Sequence, residues 1–144
     1  MKILVDTNVF VASMKFAGVK RKVIWKILEK GYVLVLTDFI IEELKRKFTE
    51  LYGPGEVQAA LENLLTFLGS GLVEVKNLKE YARNIPVAKT LIREKDAPIL
   101  ATVMLDDIDY LVTRDKGDFL ENEAVRESEW GGKILDIQGM LALL

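Results

Sequence analysis

Short apolar runs and stretches of helical periodicity take turns along this chain. Ile3 to Val5 is an uninterrupted apolar run, as in a strand buried on both faces. Val19, Val23, Ile24, Ile27 and Leu28 recur at helical spacing and predict a helix over about 18–30, with Gly31 suited to its end. Tyr32 to Leu36 reads as a second buried strand. Ile40, Ile41, Leu44 and Phe48 predict a helix over about 38–51, capped by Thr37 or Asp38. The stretch Tyr52-Gly53-Pro54-Gly55 breaks it. Val57, Ala60, Leu61, Leu64 and Leu68 predict the next helix, about 56–68, which Gly69-Ser70-Gly71 ends. Leu72 to Val75 is a third strand. Short helices are expected around Tyr81 and around Ala88 to Arg93. A longer one starts at about residue 97, with Pro98 in its first turn. Tyr110 to Thr113 and Lys133 to Leu135 are the fourth and fifth strands, and residues 137–144 close with a short helix.

Strands alternating with helices predict an α/β sandwich around a parallel sheet. No repeat, low-complexity segment or linker divides the chain, so residues 1–144 are expected to form one domain. In such folds ligands sit beyond the carboxyl ends of the strands, where strand order reverses.

Composition narrows the chemistry more than the fold. The chain has neither Cys nor His. Thiolate catalysis, Cys-ligated zinc, a Ser-His-Asp triad and a His-based zinc site are therefore excluded. A hydrolase built from what remains would use carboxylates around a hard cation such as Mg²⁺ or Mn²⁺, or a Ser/Thr acting with Lys. The net charge of −2 gives no overall attraction to nucleic acid. Local basic groups exist at Lys20-Arg21-Lys22, at Lys45-Arg46-Lys47 and at Arg114 with Lys116; solvated helix faces account for such clusters equally well. No apolar run approaches the ~18 residues of a membrane span. Only Met1-Lys2 precedes the first apolar run, which reads as no signal peptide and a cytoplasmic location.

The acids fall at telling places. Asp6 directly follows the first strand. Glu43 lies about one turn into the helix after the second. Asp115 comes two residues after the fourth, with Asp118 close behind. Asp96 opens the helix that feeds the fourth strand, and it reaches the same edge because a crossover helix runs antiparallel to the strands. Each has a plainer alternative: an Asx-turn for Asp6, a solvated helix acid for Glu43, an N-cap for Asp96, a turn residue for Asp115. Asp106, Asp107 and Asp109 read as a polar turn. Two like charges ~4 Å apart repel by ~4 kcal/mol at an effective dielectric of 20. Four gathered carboxylates therefore call for a divalent ion or for protons. Such an ion activates water and stabilises charge on a phosphoryl oxygen.

With those residues in place, the sequence resembles the PIN-domain ribonucleases, including the toxins of VapBC-type toxin–antitoxin pairs. "LVDTNVF" at 4–10, "IIEEL" at 40–44, "DAPILATVM" at 96–104 and "YLVTRDKGDF" at 110–119 resemble the family's four motifs in order. The resemblance implies a three-layer sandwich with a five-stranded parallel sheet, and Mg²⁺- or Mn²⁺-dependent cleavage of single-stranded RNA. It implies metal ligands at Asp6, Glu43, Asp96 and Asp115, with Asp118 a further candidate. Asn8 would orient the site, Thr113 would position Asp115 or a water, and Arg114 and Lys116 would contact RNA phosphates. A small antitoxin is an implied partner. A homodimer through the helices at 38–51 and 56–68 is a further expectation. Two other readings compete: a PIN-like scaffold that binds without cutting, and a haloacid-dehalogenase-type phosphatase. The second needs Asp-x-Asp where this chain has Asp6-Thr7-Asn8.

Overall fold

The computed structural model describes residues 1–15 and 18–144. Its centre is a five-stranded sheet of β1 (Lys2–Val5), β2 (Val33–Thr37), β3 (Val73–Lys76), β4 (Tyr110–Val112) and β5 (Ile134–Leu135), in the order β3-β2-β1-β4-β5. Every pairing is parallel. Parallel neighbours need crossovers, and these carry α1 (Thr7–Lys15), α2 (Val19–Glu29), α3 (Asp38–Leu51), α4 (Pro54–Leu68), α5 (Leu78–Tyr81), α6 (Ile85–Leu91), α7 (Ala97–Val103) and α8 (Glu123–Glu127), while α9 (Ile137–Leu143) follows the last strand. Ile3, Leu4 and Val5 are all fully buried. Successive strand residues point to opposite faces, so this run requires cover on both sides of the sheet. The expected α/β sandwich around five parallel strands is the observed architecture.

The predicted elements lie within a residue or two of the observed ones, and α3 spans the predicted 38–51. Thr37 caps it by accepting the Ile40 N–H at 3.0 Å. Gly31 ends the turn after α2 at φ 75°, a conformation that glycine reaches at little cost. The polar turn before β4 is tied down: Asp107 pairs with Lys2 at 3.1 Å and with the buried Lys76 at 2.6 Å.

Three elements are additions to the sequence reading. Helix α1 starts directly after Asp6, and Thr7, Val9, Phe10, Val11, Ala12 and Ser13 are buried along it. A helix buried nearly all round shows no amphipathic stripe, so its period is invisible in the sequence. A single wide turn of π type, Lys116–Leu120, and the short α8 follow β4. Neither is long enough to carry a periodic signal. Helix α7 has only seven residues.

Strand order reverses around β1: β2 and β3 lie to one side, β4 and β5 to the other. The crevice at the carboxyl ends of β1 and β4 is the position where such folds bind ligands. Among the described residues no helix is long and apolar enough to cross a membrane.

Candidate metal centre

Asp6 leaves β1 at that crevice. Its N–H donates to the Val112 carbonyl at 3.1 Å, so the sheet itself sets the residue's position. The side chain is buried. Its Oδ1 accepts the Thr7 N–H at 2.8 Å and its Oδ2 accepts the Thr113 hydroxyl at 2.7 Å. Burial pushes its carboxyl above the usual value; these two hydrogen bonds oppose that, and the Glu43 and Asp115 charges add to it. Thr113 Oγ1 also accepts the Asp115 N–H at 3.0 Å. One hydroxyl thus links two of the expected acids, positioning Asp6 as well as Asp115.

Glu43 reaches the crevice from α3. Its Oε1 accepts the Thr7 hydroxyl at 2.8 Å, and the Arg46 guanidinium lies 3.7 Å from its Oε2. Asp115 fills its plainer role too, since its Oδ1 accepts the Asp118 N–H at 3.0 Å and caps the turn. Asp96 stands at the N-cap position of α7 but its side chain does not cap the helix. Asp96 ends a 3₁₀ turn, Glu94–Asp96, and makes no capping hydrogen bond to α7. Its Oδ2 is buried with no hydrogen-bond partner among the described residues. Burial, reinforced by a hydrogen bond to the neighbouring Asp118 carboxylate and by its charge, pushes Asp96 up to about 7.

Carboxylate oxygens of Asp96, Asp115 and Asp118 lie within 4.8 Å of one another. Asp6 and Glu43 stand beside this group. Asp6, Thr7, Asn8, Glu43, Asp96 and Asp115 line one cleft of about 410 Å³, together with Arg46, Lys47 and Lys95. Asp118 is buried behind it and held by Arg93, whose Nε and Nη2 donate to its two oxygens at 2.7 and 2.6 Å. That guanidinium keeps the Asp118 carboxyl well below the usual carboxylate range. A second hollow of about 450 Å³ shares Asn8 and Asp115 and adds Lys15 and Arg114. Lys116 is exposed at the start of the wide turn.

The structure therefore brings Asp6, Glu43, Asp96 and Asp115 to one cleft, and Thr113 to two of them. It adds residues absent from the sequence reading. Thr7 orients both Asp6 and Glu43. Arg93 and Lys95 face Asp118, at 2.6 and 4.0 Å. Arg46 and Lys47, which read from sequence as a generic basic cluster, line the acid cleft. Arg93 lies 25 residues from Asp118, and no sequence periodicity links positions so far apart. The donor set is oxygen throughout, and one buried oxygen lacks a partner. Both features fit a hard divalent cation such as Mg²⁺ or Mn²⁺.

A family profile described as PIN domain matches residues 2–117. No curated protein matches the chain. Among solved structures it is similar to VapBC2 from Rickettsia felis, bound to a DNA fragment from the promoter. There the TM-score is 0.68 and identity 15%, over 94% of this chain and 98% of that one. It is also similar to FitAcB from Neisseria gonorrhoeae, with TM-score 0.65 and identity 19% over the same shares. A toxin–antitoxin complex from Klebsiella pneumoniae gives a TM-score of 0.59 and 16% identity, over 85% and 93%.

Proposed function

Because this chain belongs to the PIN-domain family, we propose that it is a divalent-metal-dependent endoribonuclease that hydrolyses phosphodiester bonds in single-stranded RNA. The observation that carries the proposal is the meeting of Asp6, Glu43, Asp96 and Asp115 in one cleft, with a buried Asp96 oxygen left without a partner. A scaffold that only binds has no use for such a charge density, which costs several kcal/mol without a cation.

In this reading Asp6, Asp96 and Asp115 hold the ion, with Glu43 binding directly or through water. A bound Mg²⁺ or Mn²⁺ supplies stabilisation of charge on the phosphoryl oxygens and acidifies a water. The chain's own residues do the positioning. Thr7 and Thr113 each take one lone pair of an Asp6 oxygen, which leaves the others directed at the cation. Asn8, shared by both hollows, lies where a strand passing from one to the other would run. Arg46, Lys47 and Lys95 on one side, and Arg114 with Lys116 on the other, meet the phosphates.

A small antitoxin is the partner proposed, supported by the likeness to a solved structure described as a toxin–antitoxin complex. The surface that suits it is an apolar hollow of about 340 Å³ among Phe10, Met14, Ile24, Trp25, Leu28 and Phe67. Trp25 is 58% exposed there, ready for cover by an apolar segment. A homodimer would use the exposed Leu51 and Leu65 of α3 and α4; a monomer by light scattering at micromolar concentration removes it.

The test is cleavage of a labelled single-stranded RNA in Mn²⁺, Mg²⁺ or EDTA. Cutting is expected only with metal, and is expected to be lost in Asp6→Asn and in Asp96→Asn while circular dichroism shows an intact fold. Cleavage that persists after both changes would overturn the proposal.

A further inference from the structure

Asp118 presents a conflict. Its oxygens are close enough to Asp96 and Asp115 to join them around a cation, yet both are already taken by Arg93. We propose that Arg93 is a built-in counter-cation that reserves Asp118, so that the acid cleft accepts one divalent ion rather than two. The inference rests on the metal-dependent reading above and adds its stoichiometry.

Two observations carry it. The pairing is two-pronged, at 2.7 and 2.6 Å, and a bidentate guanidinium–carboxylate bond is among the strongest that side chains make. Asp118 is 5% exposed, so it has little freedom to turn away from Arg93 towards a metal. The second observation is charge. Five carboxylates gather here: Asp6, Glu43, Asp96, Asp115 and Asp118. Arg46 lies 3.7 Å from Glu43, and Arg93 and Lys95 lie 2.6 and 4.0 Å from Asp118. One divalent ion with these three cations already matches the five acids, and Lys47 lines the same cleft beside them. A second ion would leave excess positive charge, and at Asp118 it would have to sit beside the Arg93 guanidinium, whose charge opposes it. Two-ion phosphoryl chemistry places its metals ~4 Å apart and needs carboxylates to serve both; here the charge of the carboxylate that would serve the second is already countered by Arg93.

The pair does not hold the turn alone. Asn122 Nδ2 donates to the Leu91 and Asp118 carbonyls at 3.0 and 3.1 Å, joining the same two segments independently. Removing Arg93 is therefore expected to free the Asp118 carboxylate without releasing the turn that carries it.

Mn²⁺ titration of the metal-free protein, followed by the electron paramagnetic resonance of free Mn²⁺, reads the count directly. The wild type is expected to bind one ion, Arg93→Gln two, and Arg93→Gln with Asp118→Asn one again. If Arg93 were only a structural brace, Arg93→Gln would weaken binding with no change in count, and that result would overturn the proposal. Two ions in the wild type would also overturn it while leaving the metal-dependent reading intact. No binding at all would remove both. A second measurement needs no variant: the Arg93 Nε–H resonance of the wild type is expected to persist through Mg²⁺ saturation, and its loss on metal addition would count decisively against the proposal.

Discussion

At Thr113 one buried hydroxyl serves two acids, donating to Asp6 and accepting from the Asp115 N–H. Thr113→Val keeps the volume and removes both bonds. It is expected to destabilise the protein by roughly 1–3 kcal/mol, the cost of leaving buried polar groups unpaired, and to weaken metal binding, measured by urea unfolding and by Mn²⁺ titration. Asp96 gives a pH dependence whose sign is fixed by its raised carboxyl. In metal-free protein the native state keeps a proton that the unfolded chain releases above about pH 4. More protons are then bound to the native state up to about pH 7, so this group makes stability fall as pH rises through that window. Asp118 acts oppositely, but its lowered carboxyl contributes stability that is lost only as pH falls below the ordinary carboxylate range. Urea midpoints in EDTA should therefore decline from about pH 4.5 to 7 in the wild type and less in Asp96→Asn, where the raised Asp6 carboxyl still contributes; matching slopes in the two proteins would contradict the assignment. With Mn²⁺ present, apparent affinity should rise over the same range, because the ion must displace that proton.

Secondary-structure elements differ in how plainly they announce themselves. Helix α3 has one buried stripe, Ile40, Leu44 and Phe48, and a capping threonine, so its limits follow from its period. Helix α1 is buried nearly throughout and carries no such stripe, although it begins at the residue after Asp6. The stretch after β4 is governed by close approach rather than by period. A Cβ on Gly131 would lie 2.1 Å from the Arg126 carbonyl oxygen, so the 3₁₀ turn Gly131–Lys133 needs glycine at its start. That turn leads into β5, and Arg126 Nη1 donates to the Ile134 carbonyl at 2.8 Å. Gly131→Ala is expected to cost at least about 1–3 kcal/mol, as overpacking of a tight site does, and to loosen β5 at the sheet edge. Hydrogen exchange localised to residues 126–135 would show this; a wild-type unfolding midpoint would refute it.

At the scale of the molecule a chain of net charge −2 gathers cations around its acid cleft: Arg46, Lys47 and Lys95 beside it, and Arg114 in the adjoining hollow. RNA binding is therefore expected to depend on this local collar. Raising KCl from low to physiological levels should raise KM for a short single-stranded RNA with little change in kcat, since neutralised phosphates each contribute a slope of ~0.7 in log–log form. Lys47→Ala should flatten that slope by about one phosphate's worth. A KM indifferent to salt would show that the collar does not touch the substrate.

The alternation of strands and helices, the chemistry left open by the lack of Cys and His, and four acids placed beside strand ends can all be read from the order of residues alone. These are legible because burial imposes periods on the chain and because a parallel sheet puts all its strand ends on one edge. Which acid bonds to which partner becomes visible in the folded chain. There Thr7 and Thr113 hold Asp6, Asp96 keeps a buried oxygen unpaired instead of capping its helix, and Arg93 covers Asp118. Apart from the bond between the neighbours Thr7 and Asp6, those outcomes depend on contacts between segments tens of residues apart, which leave no period in the chain and exist only once the sheet has brought the segments together.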